Sequence, residues 1–163
     1  MRSLLAIFII ALLLLAGHSP ALADALAPVP SLSARVIDPA GELAEADRQR
    51  LETRLARLET ERGTQVVVLL VRSTAPEDIA SFANRVANTW KIGRRDVGDG
   101  LVVVVAVQDR RMRIEVAKAL EGAVPDLMAR RIIDEAMAPR FRAGDYLGGL
   151  LAATDRLDSL IAG

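Results

Sequence analysis

Past its N-terminal leader, this chain has two stretches that are apolar over nearly the whole length of a strand. Gln65-Val-Val-Val-Leu-Leu-Val71 is the first, and Gly100 to Val107 is the second. β-branched residues dominate both, so each reads as a strand. Side chains alternate between the two faces of a strand, so one that is apolar at consecutive positions must be covered on both. Between the two runs, Ile79, Phe82, Ala83, Val86, Ala87 and Trp90 recur at helical spacing. Strand, crossover helix and strand give a right-handed parallel pair. These three segments alone restrict the chain to a sheet held between helical layers.

The remaining segments extend this plan. Residues 42–62 read as a helix with Leu51, Leu55 and Leu58 on one stripe and Gly63 as its stop. Ser73-Thr74-Ala75-Pro76 breaks the first strand, and Gly93 ends the second helix. Gln108 to Arg111 is a polar turn, and Met112 to Lys118 then alternates as a strand hairpinned to the one before it. Pro125 opens a third helix to about Phe141, with Leu127, Met128, Ile132, Ala136 and Met137 inward and Pro139 limiting its length. Gly144-Asp145 restarts a fourth, with Leu147, Leu150, Leu151, Leu157 and Ile161 inward. The order is α-β-α-β-β-α-α. The expected fold is a three-layer α/β/α sandwich whose small mixed sheet joins a parallel βαβ pair to an antiparallel hairpin strand.

The N-terminus follows a different logic. Arg2, the unbroken apolar run Leu4 to Ala16, and Ala21-Leu22-Ala23 before Asp24 form a secretory signal peptide over residues 1–23. A 13-residue run is short for a membrane span, which needs about 20 apolar residues. Residues 24–34, with Pro28 and Pro30, read as an extended leader rather than core, and 35–163 as one domain. The chain is expected in the periplasm or secreted, with no transmembrane helix in its body. Net charge is zero, so the electrostatic footprint of a nucleic-acid binder is missing. There is no cysteine, and cleavage would remove His18, the one histidine. The exported body therefore has no Ser-His-Asp or Cys-His triad and no His-ligated metal. A metal there would be a hard cation held by oxygen, such as Ca²⁺ or Mg²⁺.

Several landmarks, in order, resemble the TPM domain family. They are Val36-Ile37-Asp38-Pro39-Ala40-Gly41-Glu42-Leu43, Glu61-Arg62-Gly63-Thr64-Gln65, Trp90-Lys91-Ile92-Gly93, and Asp99-Gly100-Leu101-Val102-Val103-Val104. Arg111-Met112-Arg113-Ile114, Leu120-Glu121-Gly122 and Pro139-Arg140-Phe141-Arg142-Ala143-Gly144-Asp145-Tyr146 complete the set. The resemblance implies an acid phosphatase-like hydrolase with divalent-cation binding as one reading; the lack of a committed base or nucleophile favours the other, a non-catalytic exported module that binds a protein partner in the assembly or maintenance of the cell envelope and could bind a divalent cation. Two departures stand out. The family usually carries glycines where this chain has Ala117 and Ala119, and methyl groups there would obstruct a backbone approach to a ligand. Many bacterial relatives also continue into a membrane helix and a Gly/Ser-rich tail, whereas this sequence stops at Gly163, as expected of a free periplasmic protein.

No catalytic signature accompanies the resemblance: P-loop, G-x-G-x-x-G, H-E-x-x-H and G-x-S-x-G are all missing. The antiparallel strand pair brings Asp96, Asp99, Glu121 and Asp126 to one edge of the sheet, where their oxygens could hold Ca²⁺ or Mg²⁺. Turn formation by Asp99 and helix-dipole stabilisation by Asp126 are the plainer readings. At the opposite edge Asp38, Asp109 and Asp145 join Ser73 and Thr74. Asp145 also suits a helix N-cap and Asp109 a hairpin turn. Arg94-Arg95, Arg110-Arg111-Arg113 and Arg140/Arg142 could grip phosphate through bidentate bonds or simply form a solvated surface.

Overall fold

A computed structural model describes residues 25–93 and 98–163. The signal-peptide reading, Arg94, Arg95 and Asp96 lie outside the described residues. In chain order the elements are β1 (Val36–Ile37), α1 (Glu45–Arg62), β2 (Gln65–Val71), α2 (Ile79–Trp90), β3 (Gly100–Ala106) and β4 (Arg111–Val116). A 3-10 turn at Lys118–Leu120 leads to α3 (Asp126–Ile132), a π-helical turn (Ile133–Met137), α4 (Ala138–Arg142) and α5 (Tyr146–Ala162). The sheet order is β1-β2-β3-β4. β1, β2 and β3 run parallel, and β4 is antiparallel to β3 with Leu101 opposite Val116 and Ala106 opposite Arg111.

The apolar runs split by parity, as a two-faced strand requires. Val66, Val68, Leu70, Leu101, Val103 and Val105 face α1, α3, the π turn and α5. Val67, Leu69, Val71, Val102, Val104 and Ala106 face α2. Leu51, Leu55 and Leu58 of α1 are fully buried, each contributing about 1.5–3 kcal/mol by leaving water. Gly63 ends α1 at φ 73°, its N–H donating to Glu59 O, a left-handed position that glycine occupies without strain.

Four expectations change in detail. β1 adds a parallel edge strand that two residues of sequence do not signal. The leader is extended, yet it is packed: Ala27 and Val29 lie on the second core, Arg85 Nη2 donates to Ala27 O (2.7 Å), and Trp90 Nε1 to Pro30 O (2.7 Å). This face carries only the 12-residue α2, so the leader covers apolar surface the helix leaves open. Leu127, expected inward, is 68% exposed, because α3 turns the Ala129–Ile132 stripe to the core instead. The third helix reaches Arg142, close to the expected end at about Phe141, but as an α, a π and a second α segment rather than one continuous helix. The proline has no N–H and its ring crowds the carbonyl one turn back, and the wider π turn before it relieves that conflict.

Candidate functional site

Ligands of open α/β sheets lie beyond the carboxyl ends of the parallel strands. Here that edge carries a cavity of about 570 Å³ lined by Val105–Val107, Arg110–Met112, Ala138, Phe141, Arg142 and Tyr146, within the size range of small-molecule pockets. Its aromatic wall is Phe141 against Tyr146, ring centroids 4.8 Å apart. Gly149 makes room for the Phe141 ring: a Cβ there would stand 2.5 Å from Cε1. Burial is the main cause that raises the Tyr146 phenol above its usual pKa, and Glu42 adds to it against Arg110. The hydroxyl therefore stays protonated at neutral pH.

The arginines of this cavity differ from most of the others. Arg35, Arg48, Arg54, Arg62, Arg85, Arg113, Arg130 and Arg156 each hold a carboxylate within 3.3 Å. Arg110, Arg111 and Arg142 form no ion pair among the described residues. The turn that presents Arg110 is fixed locally: Arg110 N–H donates to Val107 O (3.2 Å), and Arg110 sits at φ 51°. Asp109 anchors the same turn to the end of β2. It accepts from Ser73 Oγ (2.7 Å) and from the backbone N–H of Thr74 (2.8 Å). Those two bonds, the Thr74 N–H first, hold its carboxyl below the usual range.

The other acids expected at this edge also serve the backbone. Asp38 accepts from the N–H groups of Gly41 and Leu43, both at 2.8 Å. Asp145 is the N-cap of α5, accepting from Gly148 N–H at 2.8 Å. Of the acids expected at the opposite edge, Asp99 is buried just before β3, and Glu121 and Asp126 line one small cavity with Arg113 and Glu115. Asp126 is bound by Arg113 (3.2 Å) and Arg130 (2.9 Å). No three acidic side chains gather into a cation site among the described residues, and two guanidinium partners already neutralise Asp126. Ala117 and Ala119 bring no strain: Ala117 has φ −67°, and Ala119 lies in the 3-10 turn.

Sequence reasoning named Arg110, Arg111 and Arg142 but not the Phe141–Tyr146 wall. The signal available was an aromatic pair bracketing Gly144-Asp145, the turn that folds α5 back beside α4.

Fold and site together define an open mixed α/β sandwich with an arginine-lined, aromatic-walled cavity at the carboxyl edge of its parallel strands. The TPM domain model matches residues 36–160, and the chain belongs to the TPM domain family. An N-terminal domain from P. gingivalis is similar, with 30% identity over 79% of this chain and 82% of that one, at TM-score 0.72. BA42 protein from Bizionia argentinensis (20% identity, 74% of this chain and 81% of that one, TM-score 0.65) shares the fold. So does the N-terminal domain of cg2496 protein from Corynebacterium glutamicum (15% identity, 82% and 84%, TM-score 0.62). Among curated proteins, none matches this chain. Among the described residues no helix is long and apolar enough to cross a membrane.

Proposed function

We propose that this TPM domain is an exported, non-catalytic binding module of the cell envelope. In this reading the cavity at the carboxyl edge takes an anionic group, phosphate or carboxylate, presented by a protein partner. The observation that carries the reading is the gathering of Arg110, Arg111 and Arg142, each without a carboxylate partner, around one concave site with an aromatic wall. Guanidinium groups suit planar or tetrahedral oxyanions through paired N–H donors. Asp38, Asp109 and Asp145 spend their oxygens on backbone and hydroxyl donors, which supports binding over turnover.

Inorganic phosphate is the first probe. A ligand at 100 times its dissociation constant adds about 2.7 kcal/mol of stability, so the thermal midpoint of the purified protein should rise with phosphate. Arg110→Ala and Arg142→Ala should weaken that response. No shift, or one indifferent to both variants, overturns the reading. Hydrolysis of p-nitrophenyl phosphate is followed in parallel, with and without Ca²⁺ or Mg²⁺. Cation-dependent turnover lost in Asp99→Asn and Asp126→Asn would replace the binding module with the acid phosphatase-like hydrolase. Export is checked by mass spectrometry of protein recovered from cells, with Asp24 expected at the N-terminus.

A further inference from the structure

The cavity at the carboxyl edge has an apolar floor beneath its charge. Side chains alternate along a strand, and Val105, Val107 and Met112 all fall on the face that packs with α1, α3 and α5. Ala138 and Phe141 close the floor from α4, and Tyr146 closes it from the start of α5. Val107, Met112, Phe141 and Tyr146 are half-buried: each packs against the core and also lines the cavity. Arg110 and Arg142 are exposed, so their charge sits at the rim rather than on the floor. A bare oxyanion would satisfy the rim and leave the apolar floor in water. A phosphate dianion would also cost more to desolvate against apolar walls than a single carboxylate charge.

We infer that this cavity captures the carboxy terminus of a partner protein that ends in a large apolar residue. Arg110 and Arg142 hold the carboxylate, and the last side chain lies on the floor against Phe141 and Tyr146. The inference rests on the reading of this cavity as an anion site and narrows its ligand. A carboxylate in mid-chain, on Asp or Glu, arrives with polar backbone on both sides, which an apolar floor leaves unpaired. At a chain's end the carboxylate and the last side chain leave from the same carbon, so charge and apolar group enter together. A planar carboxylate suits the paired N–H donors of a guanidinium. The rings of Phe141 and Tyr146 are tilted by 38° to one another, which offers a third ring the offset and edge-to-face arrangements that aromatic groups prefer. Tyr146 keeps its hydroxyl proton at neutral pH, so the wall carries no negative charge to repel a carboxylate.

Isothermal titration of the purified protein with N-acetylphenylalanine, N-acetylglycine, N-acetylphenylalanine amide and inorganic phosphate tests this. N-acetylphenylalanine should bind about tenfold or more tighter than N-acetylglycine, because only the first brings an apolar side chain to the floor. The amide, which lacks the charge, should lose about tenfold or more, and so should N-acetylphenylalanine on Arg142→Ala. Binding should shift the NMR signals of the Met112 methyl group and of the Phe141 and Tyr146 rings. A short peptide ending in phenylalanine should bind at least as tightly as N-acetylphenylalanine; its exclusion would assign the cavity to a free small acid and overturn the inference. Equal affinity for the phenylalanine and glycine probes, with phosphate still bound through Arg110 and Arg142, overturns the apolar terminus and leaves the anion site standing. Binding of neither phosphate nor any carboxylate overturns both.

Discussion

Replacing Asp109 with alanine separates the work of its two hydrogen bonds. Its carboxylate accepts from Ser73 Oγ and from the N–H of Thr74, a residue 3% exposed. Removing the carboxylate strands a buried N–H, which costs about 1–3 kcal/mol. The Ser73 hydroxyl turns to water at little cost, so Asp109→Ala should destabilise by about 2 kcal/mol. Asparagine keeps one acceptor for the Thr74 N–H and loses only the charge, so Asp109→Asn should cost about 1 kcal/mol less than the alanine variant. For a domain of this size each kcal/mol is worth roughly 3–5 °C. The carboxyl pKa is lowered in the folded chain, so its stabilisation is complete above the ordinary aspartate value of about 3.9 and fades as pH falls through the lower folded value. The wild-type advantage over Asp109→Asn should hold from pH 8 to about pH 5 and shrink below about pH 4. Urea titrations of the three proteins across this range measure it. Equal losses in the two variants, or an advantage that grows in acid, would refute the reasoning.

Other perturbations report on other parts of the fold. Arg54 is 14% exposed at its side chain, and its Nη2 bonds Asp158 (2.8 Å) and Asp155 (2.9 Å). Asp158→Ala leaves that guanidinium with the exposed Asp155 alone, so it should cost about 2 kcal/mol, more than the roughly 1 kcal/mol of Arg54→Met, which removes the buried charge itself; chemical denaturation gives the ranking. Gly100→Ala would press a methyl group against Ile92 and to within 2.6 Å of the Gly93 backbone nitrogen, and a loss of about 1–3 kcal/mol is expected in the same assay. Phe82, on the sheet-facing stripe of α2 and fully buried, should cost about 3–5 kcal/mol as Phe82→Ala. A much smaller loss would mean that α2 and the leader repack around the gap.

The sequence by itself determined the middle of this protein. The two apolar runs, the Leu51–Leu55–Leu58 stripe, the Ile79–Trp90 stripe and Gly63 each carry their structural meaning within one or two turns of chain. Local periodicity is enough to read them. Tertiary structure decided what depends on distant partners. β1 exists because Val36 and Ile37 meet Val68 and Leu69. The leader is ordered by Trp90 and Arg85, about 60 residues away, and the Asp109 anchor reaches back 36 residues to Ser73. The rotation of α3 that exposes Leu127 and buries Ala129 follows from how that helix settles on the sheet, a choice its own composition leaves open. The cavity joins a hairpin turn to the junction of α4 and α5, segments roughly 30 residues apart. Its arginines were visible one by one, but their convergence is a property of folded space, because no local pattern records which charges will meet without an opposite number.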